Sequence, residues 1–261
     1  MSIQCIQSVG QNGNQLFPTV LACVAALKHG LCAPHYENRL VTFKEPSLRL
    51  DASRPSMTHK TSTPLEGDLQ HKDVEMRRGY YQNEALFNPY RDVIKNKVLQ
   101  LPQLEKNTDD IVIHLRLDGF NHSGYNSHII DPEWYVSILR RETFGKLYIV
   151  MATKSGRIKK GQDPYKRRYI ERFKEFNHEI VSNDEKTDFE FIRKFDKIVC
   201  SNSTFGWWAA FLSEASVVYL PPYWEGRASK LSKIGTVGRV IQDNYGYINI
   251  VTMLRVPTTF Q

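Results

Sequence analysis

The sequence lacks the segments that would place it in or across a membrane. It has no continuous apolar run of about 18 residues, so no transmembrane helix is expected. Its first residues lack a basic region followed by a continuous apolar core, which is the pattern of a signal peptide. Hydrophobic content of 41% and charged content of 24% are typical of a globular protein. These features predict a cytoplasmic location.

Cysteine is scarce, and its spacing argues against the common metal and redox motifs. The 261 residues include four cysteines, Cys5, Cys23, Cys32 and Cys200, and no C-x-x-C pair. A zinc site or a dithiol redox centre is therefore not expected, and we predict reduced thiols, with Cys5 and Cys200 inside buried strands. The sequence also has no internal repeat and no low-complexity segment.

Acidic residues are outnumbered, 28 against 35 Lys and Arg, which gives a net charge of +7. Nucleic-acid-binding proteins often have basic clusters, and this chain has two, at Arg157–Lys160 and Lys166–Arg168. Between residues 165 and 176, however, the basic residues interleave with aromatic and apolar ones, which predicts the solvated face of an amphipathic helix. We therefore expect no nucleic-acid partner. An anionic nucleotide, or a partner at an anionic membrane surface, fits the charge better.

The most informative segment is Lys197–Glu214, which reads KIVCSNSTFGWWAAFLSE. Its apolar start predicts a buried strand. Ser201–Thr204 then supplies N-cap chemistry, and aromatic residues follow at helical spacing. A helix that opens directly after a parallel strand points free N–H groups and its positive dipole end at the sheet edge, which favours an anion such as phosphate. A well-capped core helix would give the same pattern, so this segment alone leaves both readings open.

Two further segments favour the anion site. Ser8–Phe17 reads SVGQNGNQLF, follows a strand-like run and precedes an apolar helix. In mid-chain, Ile111–Gly119 reads IVIHLRLDG and predicts a strand that ends in His114, Arg116 and Asp118.

In this order, the three segments resemble the G-x-GNQ-x-F, H-x-R-R-x-D and NSTFSWW hallmarks of the α-1,2-fucosyltransferase family and its wider superfamily. Gly79–Glu84 (GYYQNE) resembles the family's GYFQSE stretch, and Leu220–Trp224 (LPPYW) resembles its strand-Pro-x-x-Trp ending. The likeness covers ordered patches within residues 5–225. It implies a GT-B-like α/β fold, with two Rossmann-like halves facing a cleft, and a glycosyltransferase that uses a nucleotide sugar.

The chain also departs from the family pattern at several positions. Arg116 is followed by Leu117 where the family has a second Arg, and Asp118 lies one place closer than the family's acid. Gln11 replaces the first Gly of the GNQ segment, and Gly206 stands where NSTFSWW has Ser. The resemblance therefore supports the architecture more strongly than the identity of the sugar.

The order of segments predicts three regions. Residues 1–105 form an N-terminal, acceptor-side α/β half. Residues 106–225 form the nucleotide-sugar-binding half, where regular alternation of strands and helices predicts a doubly wound parallel sheet with its ligand at the carboxyl ends of the strands. Residues 226–261 are expected to return to the N-terminal half. The strands predicted in the second half are 111–116, 146–153, 179–182, 197–200 and 216–220, and the helices are 132–144, 165–176, 188–195 and 203–214.

Sugar transfer from a nucleotide diphosphate needs fixed positive charge at the β-phosphate, where negative charge grows. Arg116 is the first candidate for donor binding and catalysis, because the planar guanidinium pairs two phosphate oxygens at once. A surface ion pair is its alternative role. His114 points to the same face of the strand as Arg116. The resemblance implies that His114 lies against the nucleotide, and a hydrogen-bonded core histidine is the alternative.

Other donor-binding candidates come from the ends of helices. Ser203 and Thr204 would complete the diphosphate site with their backbone N–H groups. Gly13 and Asn14, in the loop predicted to open the first helix, are expected to face the donor, with Gly13 permitting close backbone approach and Asn14 orienting a sugar hydroxyl.

Asp188 is the candidate for recognition of the base. The resemblance implies that its carboxylate accepts from guanine N1–H and the exocyclic amine, a pairing that adenine and uracil do not reproduce. The alternative is a first-turn Asp favoured by the helix dipole. Thr187-x-x-Glu190 predicts a capping box at the start of the same helix.

The general base is expected in the loop after Arg116, which contains Asp118, His122 and His128. A carboxylate close to Arg116 has a lowered pKa and is a weak base, whereas His122 would titrate nearer neutral pH. The family pattern places a carboxylate in this region, so Asp118 is preferred over His122 as a catalytic residue. A mechanism with no dedicated base stays open.

Together with these residues, the resemblance implies inverting, metal-independent transfer of L-fucose from GDP-fucose to a glycan or glycolipid hydroxyl, with no cofactor. Another GDP- or dTDP-deoxysugar is the alternative donor. A metal-dependent GT-A-type transferase would need a carboxylate pair such as Asp184-Glu185 or Asp188-x-Glu190, neither of which is Asp-x-Asp. A module that binds the nucleotide sugar or a glycan without transfer is the third alternative, kept open by the altered Arg116-Leu117-Asp118.

Overall fold

The structure is a computed structural model that divides into two compact units, Met1–Gln103 and Leu104–Gln261. The residues that the structure describes are 3–5, 12–33, 36–44, 58–61, 64–66, 73–76, 81–117, 130–152, 163–221, 223–224, 227–228, 237–242 and 248–253.

The first unit combines short strands with one long helix. Its regular elements are β1 (Ile3–Cys5), α1 (Asn12–His29), β2 (Thr42–Phe43), β3 (Thr58–Thr61), β4 (Asp73–Met76), α2 (Arg91–Val93) and β5 (Leu99–Gln100). Strand β4 pairs in parallel with both β1 and β3, and β2 pairs antiparallel with β5. Helix α1 buries most of its apolar residues, among them Leu16, Phe17 and Leu21.

Two predictions for the first unit are corrected by the structure. Helix α1 begins at Asn12, so Gly13 and Asn14 lie in its first turn and not in a loop before it. The Asn38 side-chain amide donates to the Asn12 carbonyl at 3.1 Å and holds this early turn. The apolar spacing within residues 83–99 also predicts a single helix there. The structure instead has a series of irregular turns: 3-10 turns at Glu84–Leu86 and Asn88–Tyr90, then α2, then a π-helical turn at Ile94–Val98. Pro in the first positions of the second 3-10 turn has no N–H to continue a regular helix.

The second unit contains the larger sheet. Its strands are β6 (Asn107–His114), β7 (Leu147–Val150), β8 (His178–Val181), β9 (Phe195–Cys200), β10 (Val217–Leu220), β11 (Tyr223–Trp224), β12 (Arg227–Ala228), β13 (Val237–Gln242) and β14 (Ile248–Met253). Its helices are α3 (Pro132–Leu139), α4 (Asp163–Glu171), α5 (Glu185–Arg193) and α6 (Thr204–Phe211). The seven-stranded sheet has the order β13-β14-β10-β9-β6-β7-β8. Strands β10, β9, β6, β7 and β8 are parallel, which confirms the predicted α/β class of this half.

Helices cover both faces of the parallel strands. Successive side chains of a strand point to opposite faces. On one face, Ile113 and Leu115 join a buried cluster with residues of α3 and with Tyr169 and Phe173, in α4 and just beyond it. On the other face, the His114 ring contacts Phe205 of α6. The half is therefore doubly wound, and it is Rossmann-like in having its first strand at the centre.

The strand order also locates the ligand-binding edge. From β6 the chain proceeds to β7 and β8 on one side, and then crosses back to β9 and β10 on the other side of β6. Neighbouring strands β6 and β9 thus form a topological switch point, where open α/β sheets bind ligands at the carboxyl ends of the strands.

The last strands belong to the second unit, and the predicted return of residues 226–261 to the N-terminal half is wrong. Strand β14 pairs antiparallel with β10, and β13 pairs antiparallel with β14. The apolar and β-branched run Ile248–Met253 suits this position, because it extends the sheet beside the buried strand β10.

Lys166 departs from the predicted solvated face of helix α4. Arg167 and Arg168 are exposed as expected, but Lys166 is only 7% exposed, and its Nζ donates to the Ala152 carbonyl at 2.9 Å. The ammonium thereby links α4 to the chain just beyond β7. Among the described helices, none is long and apolar enough to cross a membrane.

Candidate functional site

A buried polar cluster lies at the switch point between β6 and β9. Strand β6 ends at His114, whose carbonyl accepts the Ser201 N–H at 3.1 Å, and Ser201 opens the loop between β9 and α6. His114, Ser201, Asn202, Ser203 and Thr204 are each at most 8% exposed. A polar loop buried at the ligand edge of a Rossmann-like sheet defines the candidate site.

The His114 ring is held between the sheet and the first turn of α6. Its Nδ1 lies 3.2 Å from the Ser201 hydroxyl, and its ring centroid lies 5.1 Å from that of Phe205. A Cβ atom built on Gly206 would lie 2.6 Å from Nδ1, well inside contact distance. The imidazole therefore occupies the space that a side chain at position 206 would need.

The charge of His114 is set by this environment. Burial, and then the nearby positive charge of Arg116, lower the pKa of His114 from 6.5 to about 3. The imidazole is neutral at physiological pH. The positive end of α6 acts in the same direction, because it disfavours a cation beside the first helical turn. Arg116 itself is half-buried, two residues beyond His114.

Helix α6 begins without a side-chain cap. Its N-cap residue is Ser203, one of the four residues (Ser201–Thr204) that the sequence predicts for the helix start, but the Ser203 hydroxyl makes no capping hydrogen bond. The Trp207 N–H donates to the Ser203 carbonyl. Within the described parts of the chain, no group accepts from the N–H groups of Phe205 or Gly206. These are the orphan donors of a helix start, and they are suited to an anion.

The carboxyl end of α6 is built differently. The Ala210 carbonyl accepts the Ser213 hydroxyl at 2.7 Å, and the Leu212 carbonyl accepts Nε of Arg193 at 3.5 Å. Arg193 is 8% exposed, and burial lowers the pKa of its guanidinium. Side chains thus donate hydrogen bonds to carbonyl groups at this end of the helix.

Asp188 lies in the first half of α5 and is 8% exposed. Its Oδ1 accepts both the N–H of Asn183 at 3.0 Å and the Asn183 side-chain amide at 3.1 Å. Burial raises the pKa of Asp188, against the lowering effect of these bonds. Phe189, the next residue, packs against Phe205 with ring centroids 5.5 Å apart. This contact places the start of α5 beside the start of α6.

The predicted capping box at Thr187–Glu190 is wrong. Helix α5 starts earlier, and its N-cap is Asp184, whose Oδ1 accepts the N–H groups of Lys186 and Thr187, each at 3.0 Å. The Thr187 hydroxyl donates to Oδ2 of Asp184 at 2.6 Å. A carboxylate in this place satisfies two orphan donors, which leaves Thr187 inside the helix. These bonds lower the pKa of Asp184.

In the first unit, Asn14 is brought to a segment far along the chain. Its Oδ1 accepts Nε2 of Gln82 at 3.1 Å. Tyr81 has a φ of 50°, a left-handed conformation that is strained for a bulky residue, and the Asn83 N–H donates to the Tyr81 carbonyl at 2.8 Å. Gly13 is buried in the same helical turn as Asn14.

The second unit thus brings His114, Arg116, Asp188, Ser203 and Thr204 to one edge of its sheet. The predicted base candidates Asp118, His122 and His128 lie outside the described residues. The described residues hold no group of three His, Cys, Asp or Glu side chains that could bind a metal ion.

A scan against protein-family models finds no match for the chain. A search of curated proteins finds no match either. Function is therefore argued from the geometry of the site.

Three residues at the site were not singled out by sequence reasoning. Ser201 was assigned only to the helix start, Asn183 was not considered, and Gly206 was noted only as a departure from the family motif. The parallel register of β6 and β9, which pairs His114 with Cys200, is what brings Ser201 to His114. Sequence alone offers no direct signal for a contact between segments so far apart.

Proposed function

We propose that the second unit binds the diphosphate of a nucleotide sugar at the amino end of helix α6. The observation that carries this proposal is the combination of an uncapped helix start with its position at the switch point of the sheet. Phosphate binds well where orphan N–H groups and a positive dipole end coincide. Arg116 adds a permanent positive charge at the end of the neighbouring strand.

The reaction proposed for this site is inverting, metal-independent transfer of L-fucose from GDP-fucose to a glycan hydroxyl. The anomeric C–O bond breaks, and its electron pair goes to the β-phosphate oxygen. Arg116 and the N–H groups of α6 stabilise the charge that develops there. The acceptor oxygen forms the new bond from the opposite face and loses its proton to a base, for which Asp118 is the candidate.

The choice of a guanine base rests on Asp188 and on the sequence resemblance. The described residues donate to Oδ1 of Asp188 and not to Oδ2. A carboxylate oriented in this way would offer Oδ2 to the N1–H or the exocyclic amine of guanine. Another GDP- or dTDP-deoxysugar is the alternative donor. A dTDP-sugar has no guanine and would not use the contact with Asp188.

A thermal-shift panel of GDP, UDP, ADP and dTDP in the presence of EDTA tests the proposal. A ligand at about 100 times its Kd adds about 2.7 kcal/mol to the free energy of unfolding, which corresponds to a Tm rise of roughly 5–10 °C. We expect this rise with GDP. Equal stabilisation by UDP, or a rise that requires Mn²⁺, would contradict the proposal. Turnover of GDP-fucose with a panel of glycan acceptors would then separate an enzyme from a binding module.

A further inference from the structure

The two ring nitrogens of His114 have different surroundings. Its Nδ1 contacts Ser201 and the first turn of α6, as described above, and Nε2 forms no hydrogen bond with the described part of the chain. The two ring nitrogens are therefore not equivalent. What remains to be decided is which of them carries the proton.

The hydrogen bond of the Ser201 hydroxyl favours an unprotonated Nδ1 on His114. Ser201 is 2% exposed, so its hydroxyl hydrogen needs an acceptor within the protein. Nδ1 of His114 is the partner that the structure gives this hydroxyl, at 3.2 Å. If Nδ1 carried the proton, the Ser201 hydrogen would have to turn elsewhere, at the cost of a buried unsatisfied donor.

The dipole of α6 favours the same tautomer. Nδ1 lies beside Gly206 in the first turn, where the partial charge of the helix is positive. A lone pair at Nδ1 is attracted to this positive end, whereas an N–H hydrogen would be repelled by it.

Gly206 is what permits this placement of the ring. Any other residue would put its Cβ 2.6 Å from Nδ1. The ring has little freedom to yield, because it is buried, packs on Phe205 and is bonded to Ser201. Gly has poorer helix propensity than Ala, so its presence inside α6 suits this steric requirement.

We propose that Ser201 and Gly206 are positioning residues that fix His114 as a neutral imidazole protonated at Nε2, which donates a hydrogen bond to the diphosphate. This inference rests on the proposed function for its ligand, but not for the tautomer. A neutral donor of this kind has the same protonation state throughout the physiological pH range.

The tautomer is tested in the protein without ligand by ¹⁵N NMR of histidine side chains, with His114 assigned by loss of its signals in His114→Gln. We expect a bare Nδ1 and a protonated Nε2, unchanged between about pH 5 and pH 8. A protonated Nδ1, or titration near pH 6.5, would overturn the inference.

Four variants test the positioning roles. Ser201→Ala should lose the single tautomer and weaken GDP binding by about two- to tenfold, and Ser201→Thr, which keeps the hydroxyl, should retain both. Gly206→Ala should displace the ring and weaken GDP binding by more than about tenfold. In His114→Ala/Gly206→Ala the new methyl group has room, so the double variant should have a higher Tm than Gly206→Ala alone.

Ser213→Ala is the matched control, because it removes an equally buried hydroxyl at the other end of α6. It should lower the Tm but leave the His114 signals and GDP affinity unchanged. Ser201→Ala and Gly206→Ala could instead keep the wild-type His114 signals and bind GDP as tightly as Ser213→Ala does. In that case the inference fails, while the proposed GDP binding is still supported. If the wild-type protein does not bind GDP, the proposed function fails, and the tautomer is still decided by NMR.

Discussion

Helix α6 accepts two side-chain hydrogen bonds at its carboxyl end, and among the described residues it has no side-chain cap at its amino end. Ser213 and Arg193 donate to the carbonyl groups of Ala210 and Leu212, whereas the Ser203 hydroxyl makes no capping bond. Both ends are buried, so exposure to water does not explain the difference. At the carboxyl end, these hydrogen bonds complete the helix. The amino end is left incomplete where the fold of the sheet places ligands, which is the arrangement of a binding site.

Removal of the positive charge of Arg116, near the amino end of α6, should have the largest effect on activity. Arg116→Ala removes a pair that strengthens as charge grows on the β-phosphate, and we expect kcat with GDP-fucose to fall about 10²–10³-fold. Arg116→Lys should recover little of this, because a point charge does not reproduce the bidentate guanidinium.

Arg168→Ala, which removes an exposed Arg of helix α4, is the control for net charge and should leave kcat unchanged. If the kcat of Arg116→Ala lies within a few-fold of the wild-type kcat, Arg116 belongs to a structural ion pair. The proposed site would then lack its main positive charge.

The neutral His114 at the amino end predicts an acid-dependent loss of stability. The folded-state pKa of about 3 is below the unfolded value near 6.5, so the unfolded chain binds more protons between these values. The stabilisation is complete above pH 6.5 and is lost as the pH falls toward 3, at up to about 1.4 kcal/mol per pH unit. Urea unfolding of wild type and His114→Gln from pH 7 to pH 4 measures this contribution. Parallel pH profiles for the two proteins would show that His114 does not titrate in this way.

Asp188→Asn separates base recognition from local structure. The amide oxygen of Asn can still accept from Asn183 at the place of Oδ1, so the fold and the Tm should be retained. The nitrogen at the place of Oδ2 cannot accept from guanine, and GDP affinity should fall more than tenfold, a loss of about 1.5–3 kcal/mol.

Asp184→Ala gives the opposite pattern and is the matched control for this helix. It removes the N-cap of α5, so it should lower the Tm and leave GDP affinity unchanged. Unchanged GDP affinity in Asp188→Asn would assign Asp188 to the local turn with Asn183.

The smallest effect on function is expected at the carboxyl end of α6. Arg193→Met keeps the bulk of the side chain but leaves the Leu212 carbonyl without this donor, and the free energy of unfolding should fall by about 1–3 kcal/mol. Calorimetry measures the change in stability, and titration with GDP should give the wild-type Kd. Weakened GDP binding in this variant, with an intact fold, would show that the two ends of α6 are not independent.

The sequence predicted the elements of the second half well, because strands β6 and β9 each contain a continuous apolar run, at residues 111–113 and 198–200. It failed where two local patterns compete. Thr187-x-x-Glu190 fits a capping box, yet Asp184 lies three residues earlier and accepts two N–H groups. The final strands were misassigned because a short apolar run does not specify which sheet it joins.

The polar cluster was only partly predictable for a similar reason. Alternation places His114 and Arg116 on one face, and the SNST segment predicts a helix start. The contacts of His114 with Ser201 and Gly206, however, depend on the register between β6 and β9, which is set by packing of the whole sheet. The base candidate Asp118 remains a prediction from the sequence.

The most direct test of anion binding at the amino end of α6 is a ¹H–¹⁵N NMR titration with GDP in the presence of EDTA. The Phe205 and Gly206 amides at the amino end are compared with those of Ser213 and Ala215 at the other end of the helix. We predict saturable shifts of the Phe205 and Gly206 amides and none for Ser213 or Ala215. Saturation with GDP that leaves the Phe205 and Gly206 amides unmoved would contradict the account.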